Sequence, residues 1–404
     1  MKKILKIFAI LLVVLIVLVA GGALYISASG IPTYDAPTLT LTVERTPARL
    51  VRGRQLVSLL CMDCHLNQKT KALTGQRMID VPPEFGVIFS SNITQDPDKG
   101  IGGWTDGQLV YFLRTGILKD GRFVPPVMPK FPNLADEDLF SIITFLRSDD
   151  PRLAPMAVVD SACDYSLLTK FLSHVAFKPF PYPTAPIPMP DTINHVVFGK
   201  YLVANSGCFA CHSADFTKLD ELHPERSEGF MGGGNTLIDI NGEEVYTPNL
   251  TPDMETGIGS WTESQFVAAV KEGFRSDGTL VRAPMPLWRD FTDQEVAAMY
   301  AYLRTVPVIK KPWIKRSAPT TFSSDGERFY KQYGCNSCHG NTGKGYVTFD
   351  AVGTKFPTDS LLEIKIRNPF AFEPESRMPL WQGMIREQDY RPLTAHIRTL
   401  SRQH

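Results

Sequence analysis

The chain has 404 residues, room for roughly two to four domains. Lys plus Arg number 42 and Asp plus Glu 42, so there is no net charge, which argues against a nucleic-acid binder. Charged residues at 21% and apolar residues at 43% are those of a globular protein, neither disordered nor polytopic, and seven cysteines are too few for a disulfide scaffold and too odd a number for simple pairing.

Lys2, Lys3 and Lys6 precede Ile7 to Ile26, 20 residues without a charge. About 20 apolar residues cross a bilayer as one helix, whereas the apolar part of a cleavable signal peptide runs to roughly 7–15. Residues 1–29 are therefore expected to form a retained signal-anchor helix, with its lysines in the cytoplasm and the rest of the chain across the membrane. Ser27-Ala28-Ser29 leaves cleavage as the alternative. No second run of that length follows.

Next comes Cys61-Met62-Asp63-Cys64-His65, which reads C-x-x-C-H, the attachment site of a c-type haem. Two thiols three residues apart lie on one side of a helical turn and reach the two vinyl groups of one porphyrin as thioethers. The following histidine reaches the iron from the proximal face. The pattern returns as Cys208-Phe209-Ala210-Cys211-His212 and as Cys335-Asn336-Ser337-Cys338-His339. A redox dithiol needs no following histidine, and a zinc site needs further Cys or His at matched spacing. Three covalently bound haem c groups are expected. Cys163 is left over and reads as a buried thiol in preference to an intermolecular disulfide.

An internal repeat points to the second axial ligands. Asn92-Ile93-Thr94-Gln95-Asp96 matches Asn249-Leu250-Thr251-Pro252-Asp253, and Gly100-Ile101-Gly102-Gly103-Trp104-Thr105 matches Gly257-Ile258-Gly259-Ser260-Trp261-Thr262, both at an offset of 157 residues. The same offset carries Met128-Pro129 onto Met285-Pro286 and Leu146-Arg147 onto Leu303-Arg304. The second copy holds about ten extra residues around Gly232-Gly233-Gly234, a loop by composition. The third copy is shorter, with Met378-Pro379 following His339 by 39 residues. Met128, Met285 and Met378 are the expected sixth ligands, with Met384 as the alternative in the third copy. A single methionine is more commonly a core residue; Met62, Met156 and Met299 lack the Met-Pro setting. His/Met ligation raises the potential and closes the iron to substrate.

Thr105-Asp106-Gly107-Gln108, Thr262-Glu263-Ser264-Gln265 and Thr292-Asp293-Gln294-Glu295 predict capped helix starts. Gly53, Gly199 and Gly326 sit inside helical patterns, where glycine costs about 1 kcal/mol. A close crossing of the first and last helices of each copy, with Phe145 or Tyr302 on the glycine, accounts for them. Trp104 and Trp261 read as core wedges beside the haem. Six prolines between Pro179 and Pro190 make residues 156–194 an irregular, extended linker that packs on the first two copies. The basic cluster Lys310, Lys311, Lys315 and Arg316 reads as a solvated bridge, or else as a patch for docking a partner, and His174, His195, His223, His396 and His404 as structural or surface residues.

The expected fold is all-α: a transmembrane helix (1–29), then tandem domains at 30–155, 195–312 and 313–404, with the linker between the first two. Each copy resembles a class I cytochrome c domain. The stretch from about Arg49 to Leu400 resembles the three-haem cytochrome c subunit of membrane-bound bacterial dehydrogenases, such as the quinoprotein alcohol and flavoprotein gluconate dehydrogenases. The three C-x-x-C-H motifs, the Asn-x-Thr and Gly-Ile-Gly-x-Trp-Thr segments and the Met-Pro pairs carry the resemblance. It implies an electron relay without a substrate site of its own, anchored in the inner membrane with its haem domains on the periplasmic side. It would take electrons from a quinoprotein, flavoprotein or molybdenum-type dehydrogenase and pass them to quinone or a soluble redox carrier. The alternatives are a cytochrome subunit of a terminal oxidase or respiratory supercomplex, and a haem enzyme such as a peroxidase.

Overall fold

The computed structural model describes residues 2–79, 81–276, 279–311, 321–374 and 376–402. They fall into two compact units, Met1–Met189 and Pro190–His404.

In the first unit α1 (Lys2–Ser29) carries its apolar side chains exposed along its length. Among the described residues it is the one helix long and apolar enough to cross a membrane. Helix α2 (Pro47–Leu60) starts where the Thr46 hydroxyl accepts from the Arg49 amide and proline fills the first turn, whose amides need no partner. It leads into a short turn, α3 (Met62–His65), that carries the first haem motif. Strand β1 (Gly86–Val87) follows, then α4 (Asp106–Thr115) and α5 (Asp136–Leu146). The predicted capping box is present at α4: Thr105 accepts from the Gln108 amide, and the Gln108 side chain accepts from the Thr105 amide. Strand β2 (Asp164–Tyr165) pairs antiparallel with β1, Gly86 opposite Tyr165, and α6 (Leu167–Val175) starts from a Ser166 cap.

The second unit repeats the plan twice. Helices α7 (His195–Asn205) and α8 (Cys208–His212) lead to the antiparallel pair β3 (Thr236–Ile238) and β4 (Glu244–Tyr246), then to α9 (Glu263–Lys271) and α10 (Asp293–Leu303). Both α9 and α10 start in the predicted capping boxes. The third copy comprises α11 (Asp325–Gln332), α12 (Asn336–His339), α13 (Val352–Lys355), α14 (Asp359–Arg367) and α15 (Glu387–Arg402). Phe329, Tyr330, Leu362, Ile366, Trp381, Tyr390, Leu393 and Ile397 form its core.

The helix crossings are those the glycines predict. A Cβ on Gly53 would stand 1.9 Å from the Ser141 carbonyl oxygen and 2.9 Å from the Phe145 Cβ. On Gly199 it would stand 1.9 Å from the Ala298 oxygen and 2.9 Å from the Tyr302 Cβ, and on Gly326 2.3 Å from the Pro392 oxygen and 2.7 Å from the His396 Cβ. Thus α2 crosses α5, α7 crosses α10 and α11 crosses α15 with backbones in contact. His396 occupies the place that Phe145 and Tyr302 hold in the other copies. Its Nε2 is buried without a hydrogen-bond partner among the described residues, and burial holds the imidazole below its usual range, with Glu327 opposing and Lys331 reinforcing the shift.

As pH falls through the ordinary imidazole value, the unfolded chain takes up a proton that folded His396 resists, so native stability declines until the lowered folded value is passed. His396→Phe is expected to raise the thermal midpoint, with a larger gain near pH 5 than near pH 8, where only the orphaned nitrogen, worth about 1 kcal/mol, remains. Equal gains at both pH values in thermal melts would contradict this.

Several expectations need correction. The chain is mostly helical, not wholly so: two small antiparallel strand pairs are present, and β3–β4 lies in the stretch expected to be loop. The segment expected to be irregular contains β2 and the helix α6. Its proline-rich part does pack on the first unit, where Ile187 and Asp136 exchange hydrogen bonds and Tyr182 stacks on Tyr111 at 5.6 Å. Trp104 and Trp261 are half-buried, not core residues. Cys163 is half-buried, its Sγ donating to the Phe89 carbonyl at 3.3 Å. Lys310 pairs with Glu255 at 3.5 Å, and Lys311 donates to the Gly233 carbonyl at 2.7 Å. Lys315 and Arg316 lie outside the described residues.

Candidate haem sites

Each C-x-x-C-H motif sits where its copy's first helix ends in a short helical turn, α3, α8 or α12. The three histidines share one constraint. His65 Nδ1 lies 2.7 Å from the Ser91 carbonyl oxygen, His212 Nδ1 2.9 Å from that of Pro248, and His339 Nδ1 2.9 Å from that of Val347. A carbonyl only accepts, so Nδ1 carries the proton and Nε2 presents its lone pair. Fixing one ring nitrogen in this way sets the tautomer and orientation of a metal-binding histidine. Burial lowers all three imidazoles below their usual range, against the opposing hydrogen bond, which favours the neutral ligating form.

The thiols discriminate between chemistries. Burial, then the neighbouring Cys64 thiol, pushes Cys61 up to about 12. Cys208 rises to about 11 and Cys335 to about 12, again chiefly by burial. Redox dithiols work through thiols whose pKa is lowered, the opposite direction. Among the described residues no group of three or more His, Cys, Asp or Glu stands together as a closed metal cage. A thiol pair with one oriented imidazole beside it fits a porphyrin held by two thioethers and one axial nitrogen.

The Asn-x-Thr segments explain the histidine anchors. Ser91 and Pro248 immediately precede Asn92 and Asn249. Asn92 Oδ1 accepts from the Thr94 amide at 2.9 Å and hydroxyl at 2.7 Å, and Asn249 does the same with Thr251 at 2.8 and 2.7 Å. Asn92 Nδ2 donates to the Met156 carbonyl at 2.8 Å, and Asn249 Nδ2 to that of Ile309 at 2.6 Å. The repeated asparagine thus locks the turn whose preceding carbonyl holds the histidine. Arg147 and Arg304 tie the ends of α5 and α10 to the glycine turns, donating to the Ile101 carbonyl at 2.8 Å and the Gly259 carbonyl at 2.6 Å.

The three Met-Pro methionines are half-buried, each in a bend between helices. By contrast Met62 and Met299 are core residues. In the first copy Lys130 Nζ donates to the carbonyls of Val124, Pro125 and Met128 at 2.6, 2.8 and 2.6 Å, cross-bracing the loop. In the third, Arg289 from the second copy donates to the Ser376 carbonyl at 2.6 Å and the Met378 carbonyl at 3.1 Å. Met378 packs against the third core together with Cys335, whereas Met384 is 43% exposed. Asn241, in the β3–β4 turn, also reaches the third motif: it donates to the Asn336 carbonyl at 3.2 Å and accepts from the Asn341 amide at 2.7 Å. Lys130, Arg289 and Asn241 are not among the residues expected from sequence, since none falls in a repeated motif.

Residues 196–307 match the family model of cytochrome c, so the second copy is a cytochrome c domain, with covalently bound haem c as its cofactor. Across most of its length the chain resembles cytochrome c subunits of dehydrogenases. It is 27% identical over 343 residues to the cytochrome c subunit of the quinone alcohol dehydrogenase of Gluconacetobacter polyoxogenes, covering 79% of this chain and 71% of that one. It is 28% identical over 344 residues to the fructose dehydrogenase cytochrome subunit of Gluconobacter japonicus, covering 75% and 67%. Over 346 residues it is 28% identical to a nicotinate dehydrogenase subunit of Pseudomonas putida, 80% of this chain but 27% of the relative. The cytochrome subunits among these are electron-transfer components, not catalytic ones.

Proposed function

We propose that the chain is a membrane-anchored three-haem cytochrome c that relays electrons from a periplasmic dehydrogenase to quinone or another respiratory carrier. One observation carries the reading: the same local geometry, a thiol pair beside a histidine whose Nδ1 is pinned to a backbone carbonyl, recurs in all three copies. Cys61, Cys64, Cys208, Cys211, Cys335 and Cys338 would form the thioethers, and His65, His212 and His339 the proximal ligands. Met128, Met285 and Met378 would supply the distal sulfurs; the packing of Met378 against the third core favours it over exposed Met384. When bound, haem c supplies one-electron transfer. The protein's part is to orient the imidazoles, exclude water and close the distal faces.

The copies would form three tandem cytochrome domains, and α1 would hold them at the periplasmic face of the inner membrane. The relatives' names support a dehydrogenase as the electron donor without fixing its substrate, since alcohol, fructose and nicotinate all occur among them. Affinity purification of the chain from its native membrane in mild detergent tests the reading. A dehydrogenase subunit should accompany it, and that enzyme's substrate should reduce the chain's haems. Recovery with terminal-oxidase subunits instead, and no reduction by any dehydrogenase substrate, would overturn it.

A further inference from the structure

We propose that α6 is an interfacial helix, lying in the bilayer surface beside the point where α1 leaves the membrane and burying its outer face among phospholipid acyl chains. The proposal rests on reading α1 as a retained membrane span. Its own ground is that α6 is built inside out. A helix on a soluble surface turns apolar residues to the core and polar ones to water. Here Thr169 and Ser173 are the buried residues, at 1% and 0% exposure. The Thr169 hydroxyl donates to the Phe85 carbonyl at 2.7 Å and that of Ser173 to the Thr169 carbonyl at 2.8 Å. Leu167, Leu168, Phe171 and Val175 face outward at 47%, 44%, 45% and 57% exposure. Residues 168, 171 and 175 fall at helical spacing, so they make one continuous apolar stripe.

What covers that stripe follows from where the helix is fixed. Its last turn is tied to the end of α1: His174 Nε2 lies 3.1 Å from the Gly30 carbonyl oxygen and 3.3 Å from the Ser29 hydroxyl. The His174 and Tyr25 rings stand 6.3 Å apart. Tyr25 stands one residue before the end of the apolar run, at the level where aromatic residues of a span meet the headgroups. Nine helical residues rise about 13 Å, so the whole stripe lies within that distance of the membrane exit. An apolar face so placed suits a lipid surface, into which such a helix sinks by roughly 5–10 Å.

The test uses the full haem-loaded chain reconstituted in phosphatidylcholine vesicles containing a lipid with a photoactivatable acyl chain, with adducts mapped by mass spectrometry. Adducts are expected in both α1 and α6. The double variant Leu168→Glu, Phe171→Glu should lose those of α6 several-fold while α1 labelling and haem content stay unchanged. Labelling of α1 alone would overturn the inference and leave the anchor standing. Labelling of neither would overturn both. Labelling of α6 without α1 would remove the anchor and, with it, the proposed place of α6 beside a membrane span. Undiminished α6 labelling in the double variant would overturn the proposed face.

Discussion

Replacing Gly199 by alanine is expected to destabilise the cytochrome c domain of residues 196–307 by about 3 kcal/mol or more. The added methyl would sit 1.9 Å from the Ala298 oxygen, 2.5 Å from its carbonyl carbon and 2.9 Å from the Tyr302 Cβ. Two of these are backbone atoms, which cannot swing away as the end of a side chain would, so α7 and α10 must separate. The roughly 1 kcal/mol that alanine gains over glycine in helix propensity is too small to offset this. Gly53→Ala should behave alike, and Gly326→Ala more mildly, since its nearest approach is 2.3 Å. Gly353→Ala is the control: it lies in α13 with nothing within 4 Å of the new methyl. Denaturant unfolding followed by circular dichroism measures the set. A Gly199→Ala midpoint equal to that of Gly353→Ala would show that the crossing does not bear the strain assigned to it.

Replacing Met285 by alanine is expected to leave haem attachment intact while opening one distal face. Cys208 and Cys211, which would form the thioethers, and the anchored His212 are untouched, so the reduced variant should take up about one carbon monoxide per chain where the parent takes up almost none. Met128→Ala and Met378→Ala should each do the same, and Met384→Ala should not. Carbon monoxide titration of the dithionite-reduced protein reads the difference directly. Uptake unchanged in Met285→Ala would remove that residue from the ligand set. Uptake by the parent would reopen the haem-enzyme reading.

How far the sequence spoke depended on whether a feature was written in side chains and repeated. The C-x-x-C-H motifs, the capping boxes at Thr105, Thr262 and Thr292, and the glycine crossings were legible because each needs particular residue types at fixed spacing. The third crossing went half-read, because His396 replaces the aromatic residue that marks it in the other copies. The histidine anchors were written only indirectly: backbone carbonyls carry no residue signal, yet Ser91 and Pro248 stand in register before the repeated asparagines. Helix α6 stayed hidden because it spans only nine residues and prolines follow it closely, although Leu168, Phe171 and Val175 fall at helical spacing. The braces from Lys130, Arg289 and Asn241 arise from tertiary packing peculiar to one copy, and no repeat could reveal them.

All three copies are expected to carry haem. Intact-chain mass spectrometry of the purified protein, set beside the haem absorbance of the same sample, tests it most directly. Three covalently attached haems are expected on every chain, and none on a motif whose two cysteines are both replaced by alanine. A mature chain carrying two haems or fewer would contradict it.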